Sequence, residues 1–399
     1  MTKGVWGIAL ILLAALAAHA QRADCNAANP APSVTISLPA SPFAVAPAQD
    51  GCWVFVSEVG GAGKKGGVSV LKRTDGSITL SRTVPLSSAS GLGMALTHDG
   101  KLLVVAASDS IDFLDVQLLI SGAGKPLLGS FSDGSGAASV YANITADDKL
   151  LFVSDEGRQS ITVIDLEKAR TSGYKAGAII GKIPVGNAPI ALTFSPDGKW
   201  LYTTSEGAAP AWQWPKACKP EGSDPAKATI SNPEGAVVVV DVARARTDPA
   251  QAVAARIPAG CSPVRMAIAP GGERIYITAR NSNAVLTFDT GKLISDPEHA
   301  RLGMVPVGSA PVPVAVIDAG RKVVAGNSNR FAGANEPQNL TVLDATKMQD
   351  GAAAVLGTIP AGAFPREMAV SSDGHTLFLT NFGSDSLQVI DVDHLPIKK

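Results

Sequence analysis

Apolar residues in this chain fall in short β-branched runs, such as Leu102-Leu103-Val104-Val105 and Leu377-Phe378-Leu379, separated by turns rich in Gly, Pro and Asp. Within and around the runs apolar and polar positions roughly alternate, as in Ser33-Val34-Thr35-Ile36-Ser37-Leu38. That is the period of strands and hairpins, not of helices. The runs recur as a unit. A small or Pro residue is followed eight positions later by the start of a tight turn: Pro42 to Asp50, Gly91 to Asp99, Ser139 to Asp147, Pro189 to Asp197, Pro263 to Gly271, Pro311 to Ala319 and Pro365 to Asp373. The residue after the turn start is Gly in six copies (Gly51, Gly100, Gly198, Gly272, Gly320, Gly374) and Asp148 in the third. A second apolar run follows and usually ends in Asp, as at Asp165, Asp241, Asp289, Asp344 and Asp391.

Most turn starts are spaced by about 50 residues, close to the ~40–50 residues of a four-stranded antiparallel propeller blade. Seven copies predict an all-β, seven-bladed β-propeller; a β-solenoid would have shorter coils and no recurring hairpin turn. In the fourth copy the strands are expected at Ile190–Ser195, Trp200–Thr204, Ala236–Asp241 and about Val253–Ile257. The last copy stops after its third strand, at Val392, while residues 33–38 precede the first complete copy. The orphan strand is therefore expected to pair with the last blade and close the ring, hiding two edges. This gives a signal segment (1–20), an N-terminal extension (21–32), a propeller (33–392) and a C-terminal tail (393–399).

Composition adds three constraints. The chain has 399 residues, 46% hydrophobic and 17% charged, with a formal net charge of −1. The absence of a basic excess argues against nucleic acid as a partner. Lys3, the apolar stretch Val5–Ala18 and the small-x-small triplet Ala18-His19-Ala20 read as a signal peptide cleaved after Ala20, with a retained anchor as the alternative. Cys25 lacks the apolar and small residues of a lipobox before it. The expected location is secreted or periplasmic, with no stable membrane span after cleavage. Four cysteines in an exported chain suggest two disulfides, for which three pairings exist. Strand alternation favours one of them. Cys218 and Cys261 fall in loops of adjacent blades on the same face, while Cys25 and Cys52 meet near the closure on the other.

One repeat interval, from Asp197 to Gly271, is about half as long again as the others. The excess is an insertion at 206–233 between strands two and three of the fourth copy. It carries Trp212, Trp214 and Cys218. A long stapled loop in a compact domain suggests a binding surface, with packing of the Trp pair as the alternative. The same face carries Glu58, Asp155, Arg280, Asn281, Asn327, Arg330 and Asn381. The starts of innermost strands supply Arg265, Arg366 and Glu367 toward the central channel. The candidate ligand-binding set is Trp212, Trp214, Arg265, Arg280, Asn281, Arg330, Arg366 and Asn381. Catalytic motifs are lacking: there is no Gly-x-Ser-x-Gly, His-Glu-x-x-His or Cys-x-x-Cys-His. Beyond His19 the histidines are His98, His299, His375 and His394, of which His98 and His375 lie beside turns on the opposite face. No metal and no cofactor is expected.

Ser195-Pro196-Asp197-Gly198-Lys199-Trp200-Leu201-Tyr202-Thr203-Thr204, with the matching run from Leu377 to Asp391, resembles the YVTN-type β-propeller family over about residues 40–392. Pro365-Arg366 entering a first strand and Asn381 ending a second are also similar to lactonase-type propellers, which commonly have His where this chain has Glu367. The resemblance implies the fold. For function it allows surface-layer proteins, binding scaffolds, enzyme subunits and nucleic-acid binders. The expectation is an exported, non-catalytic, monomeric propeller binding a protein, glycan or small ligand on the insertion-bearing face. The alternative is a lactonase-like hydrolase using Arg265, Arg366 and Glu367. The third reading, a DNA-binding propeller, fits the charge least.

Overall fold

The recurring turn is built by the repeat's own side chains. In four copies a Ser or Thr hydroxyl, at Thr97, Thr145, Ser195 and Ser371, donates to the Asp two residues on at 2.5–2.6 Å. That Asp then accepts the main-chain N–H of the residue after the Gly position, as Lys199 does for Asp197 at 3.0 Å. The intervening residue is left-handed, with φ +68° at Gly100 and +69° at Gly198, which glycine adopts without the Cβ penalty. Asp148 holds the same conformation at φ +54°. Its carboxylate accepts the main-chain N–H groups of His98 (2.9 Å) and Asp99 (3.0 Å) in the preceding blade.

The computed structural model describes residues 25, 27–61, 65–224, 226–331 and 338–399; the segment read as a signal peptide lies outside the described residues. Seven four-stranded antiparallel sheets follow one another in chain order, and the fold is a seven-bladed β-propeller. Blade four contains Asn187–Phe194, Trp200–Gly207, Ala236–Asp241 and Val253–Pro258, within a few residues of the sequence expectation. Blade seven contains Pro365–Val370, Thr376–Asn381 and Ser386–Asp391, and its fourth strand is Ser33–Ser37. The closing register runs from Ser33 opposite Ile390 to Ser37 opposite Ser386. Both disulfides form as read, Cys25–Cys52 and Cys218–Cys261.

The Asp that ends strand three has a definite task. Asp115, Asp165 and Asp241 cap short helices at Val116–Ser121, Leu166–Thr171 and Val242–Thr247, accepting the N–H of Leu118, Lys168 and Arg244 at 2.8–3.0 Å. The side-chain acceptor satisfies an N–H that has no partner inside the helix. These helices are an addition to the strands-only reading. The connection from strand three to strand four crosses the outer strand of the preceding blade at a small residue. A Cβ on Gly181 would lie 3.1 Å from Pro249, and one on Gly303 would lie 2.4 Å from the Met348 carbonyl. In blade seven the C-terminal tail takes this place: Thr358 and Lys398 exchange main-chain hydrogen bonds at 2.7 and 2.8 Å. The hydrophobic core lies largely between neighbouring blades, as where Phe152 and Val163 of blade three meet Leu192 and Val240 of blade four. Among the described residues no helix is long and apolar enough to cross a membrane.

Candidate functional site

The first strand of each blade lines the axis. At the third position of the recurring unit stand Ala44, Gly93, Tyr141, Ala191, Arg265, Pro313 and Glu367. Four of these are small or compact, which leaves room for the other three. Gly93 shows how tight the fit is, since a Cβ there would lie 2.6 Å from the Tyr141 ring. Arg265 Nε donates to Glu367 Oε2 at 2.8 Å, and the two residues are only 3% and 6% exposed. The Arg265 guanidinium also lies over Tyr141 at 4.8 Å and within 5.9 Å of the Phe43 ring. Burial, reinforced by the charge of Glu367, raises the Tyr141 hydroxyl well above the ordinary phenol range, so it stays protonated.

From this base a ladder of alternating cations and rings climbs to the mouth. Arg366 stacks on Phe43 at 4.3 Å and on Phe364 at 5.6 Å. Arg330 stacks on Phe364 at 5.8 Å and on Phe331 at 5.1 Å, and Phe382 buttresses Phe364 edge-on at 5.5 Å. Ring faces carry negative quadrupole density and attract the guanidinium groups, though less than a full charge would. Among the described residues Glu367 is the carboxylate paired within the ladder, against three arginines. Arg366 has no ion pair among the described residues, and its Nε, like Arg265 Nη2, is buried without a hydrogen-bond partner. Burial first, then repulsion from Arg265 and Arg330, pulls the Arg366 pKa below the usual arginine range. An anion placed there would relieve both effects.

The other sequence candidates are used elsewhere. Arg280 pairs with Glu206 at 2.9 Å and with Glu221 of the insertion. Burial pushes the Glu206 carboxyl up, and the Arg280 charge opposes it. Asn281 donates to the Lys219 carbonyl at 2.8 Å. With Cys218–Cys261 these contacts clamp the insertion onto blade five, so Arg280 and Asn281 are buttresses. Asn381 is buried and donates to Gln388 at 3.4 Å, and Gln388 reaches Ser33 of the closing strand at 2.9 Å. Glu58, Asp155 and Asn327 occupy the same place at the end of the second strand in their blades and bond to Ser69, Thr162 and Thr341 on the third strand, away from the axis. These four form rungs inside blades and do not line the mouth. Trp212 and Trp214 meet at a tilt of 53° with their rings 5.2 Å apart and pack on the core between blades three and four, with Arg256 of blade four's outer strand lying 5.1 Å over Trp212. They sit on the outer rim. The single site expected from sequence is therefore two places, an axial ladder and a rim cluster. Phe43, Tyr141 and Phe364 went unnoticed in the sequence, although Tyr141 shares the third position with Arg265 and Glu367.

No family model matches the chain, and no curated protein matches it. Among solved structures it is similar to hydrazine synthase of Kuenenia stuttgartiensis, with 18% identity, 90% of this chain and 97% of that chain covered, and a TM-score of 0.66. At this identity the likeness shows the propeller fold alone.

Proposed function

We propose that the protein is an exported, non-catalytic β-propeller of the YVTN type that binds a small anionic ligand at the axial mouth on the insertion-bearing face. The observation that carries this is Arg366, stacked between Phe43 and Phe364 without an ion pair among the described residues. A carboxylate, phosphate or sulfate group meets a flat, bidentate donor there, in a desolvated place where such a bond is strongest. Export is supported by the leader-like first 20 residues, absent from the mature chain in this reading, and by the two disulfides. A lactonase-like role would need Glu367 free as a base, whereas the Arg265 guanidinium holds it.

Thermal shift and calorimetry with citrate and inorganic phosphate test the reading, with chloride at equal ionic strength as the control. The expected result is stabilisation by at least one of the two anions beyond the chloride effect. Arg366→Gln is expected to weaken it by about 10-fold or more, the equivalent of one charge-assisted hydrogen bond. No anion effect beyond chloride, or one that survives Arg366→Gln, would overturn the reading.

A further inference from the structure

We infer that a second groove, between the insertion and blade five, binds a neutral oligosaccharide. The groove has a volume of about 600 Å³ and is lined by Trp214, Glu234, Arg256, Pro258, Glu298 and Arg301 among others. That lies within the roughly 300–1,000 Å³ of small-ligand sites. Its floor is the outer strand of blade four, Val253–Pro258, whereas the axial ladder stands mainly on first strands. The two places are separate.

Three observations point to a sugar. The first is a rigid aromatic platform. Trp214 is half-buried, braced by Trp212, and carried on a loop stapled by Cys218–Cys261 and clamped through Arg280. Such a ring offers a flat apolar face at little entropic cost, matched to the C–H face of a pyranose. The second is the charge balance. Arg256 and Arg301 stand with Glu234 and Glu298, and none of the four forms an ion pair among the described residues. Arg256 is engaged over Trp212 and Glu234 accepts the Gly260 N–H at 3.3 Å, which leaves Arg301 and Glu298 as an exposed donor and an exposed acceptor. One of each suits hydroxyl groups, which both donate and accept, and favours neither an anion nor a cation. The third is the contrast with blade six, where the outer strand does take up a polypeptide, the chain's own tail. There Leu395 and Ile397 enter the apolar core as the strand docks. The groove beside the outer strand of blade four, next to the blade-five connection that crosses it, instead sets Glu234, Arg256, Glu298 and Arg301 among Ile257 and several prolines, so polar groups stand beside apolar surface along it, as a sugar requires.

Calorimetry on the full chain with cellohexaose, chitohexaose and maltohexaose tests the inference. At least one of the three is expected to bind. Trp214→Ala should weaken that binding by about 10-fold or more, and Trp214→Phe should restore part of it. Should Trp214→Ala fail to fold, the exposed pair Glu298→Ala and Arg301→Ala applies the same test without touching the core. Absence of heat with all three sugars would overturn the inference, as would unchanged affinity in both variants. So would binding of a peptide with the sequence of residues 393–399 in the absence of sugar binding.

Discussion

Arg265 of blade five and Glu367 of blade seven meet at 2.8 Å across the axis, although 102 positions separate them in the chain. Both are nearly inaccessible, so removing one partner strands the other charge. Glu367→Gln is expected to cost about 3–5 kcal/mol in urea denaturation. Replacing the pair together, Arg265→Met with Glu367→Leu, should recover most of that loss. Because Glu367 offsets part of the positive ladder, any Glu367→Gln protein that remains folded should also bind citrate or phosphate more tightly than wild type.

Gly93 and Tyr141 make a second axial test. A methyl at position 93 meets the ring at 2.6 Å and the Val140 carbonyl at 2.7 Å, and neither backbone can retreat far. Gly93→Ala should destabilise the protein by about 1–3 kcal/mol. A compensating Tyr141→Phe should not rescue it, because the clash is with the ring edge and the main chain rather than the hydroxyl.

Glu58 supplies a pH dependence with a definite sign. Burial, partly offset by the Ser69 hydroxyl and reinforced by Asp385, raises its pKa from 4.5 to about 7. The folded state therefore holds the proton more tightly than the unfolded chain. Its stabilising contribution is complete below about pH 4.5 and is lost as pH rises through about 7, with a slope of up to about 1.4 kcal/mol per pH unit. Glu58→Gln keeps a hydrogen-bond acceptor for Ser69 and should flatten that decline. Denaturant midpoints across this range, compared between wild type and variant, measure it.

The Cys218–Cys261 bridge closes a loop with a sequence separation of 43, worth about 4 kcal/mol if the gain were wholly unfolded-state entropy. Cys218→Ser with Cys261→Ser should lower the melting temperature and expose the insertion to limited proteolysis near Lys216 and Lys219. The binding of anions at Arg366 should change less, since the insertion meets the ladder at Phe331, beside Gly222, whereas Arg366 is held by Phe43 and Phe364.

Much of the fold was legible because the repeat carries its own turn and closing signals. Asp197-Gly198 and the unpaired run at 33–38 each have one sensible reading, and the loop faces singled out both disulfides. The short helices after Asp115, Asp165 and Asp241 were hidden because six residues are too few to show a helical period. The axial site was half legible. Arg265, Arg366 and Glu367 stand out by type, but a bulge between the first and third residues of each of these first strands, as at Pro365/Glu367 and Ser139/Tyr141, breaks simple alternation. Phe43 and Tyr141 therefore could not be placed from pattern alone. The contacts of Arg280 and Asn281 with the insertion were not legible, because their partners, Glu221 and Lys219, lie 59 and 62 positions away. Nothing local distinguishes a buttress from a ligand contact.

The strand at Ser33–Ser37 is made about 350 residues before its partner at Ser386–Asp391. At ribosomal rates of about 5–20 residues per second, the interval between them is tens of seconds. For that time an alternating, β-prone segment has no place to go within its own molecule. Two chains delayed at the same stage could exchange these segments and emerge as an interlocked pair, each completing the other's ring. The covalent tie from Cys25 to Cys52 can form as soon as the first blade exists, and it keeps the waiting segment beside the one gap it is meant to fill.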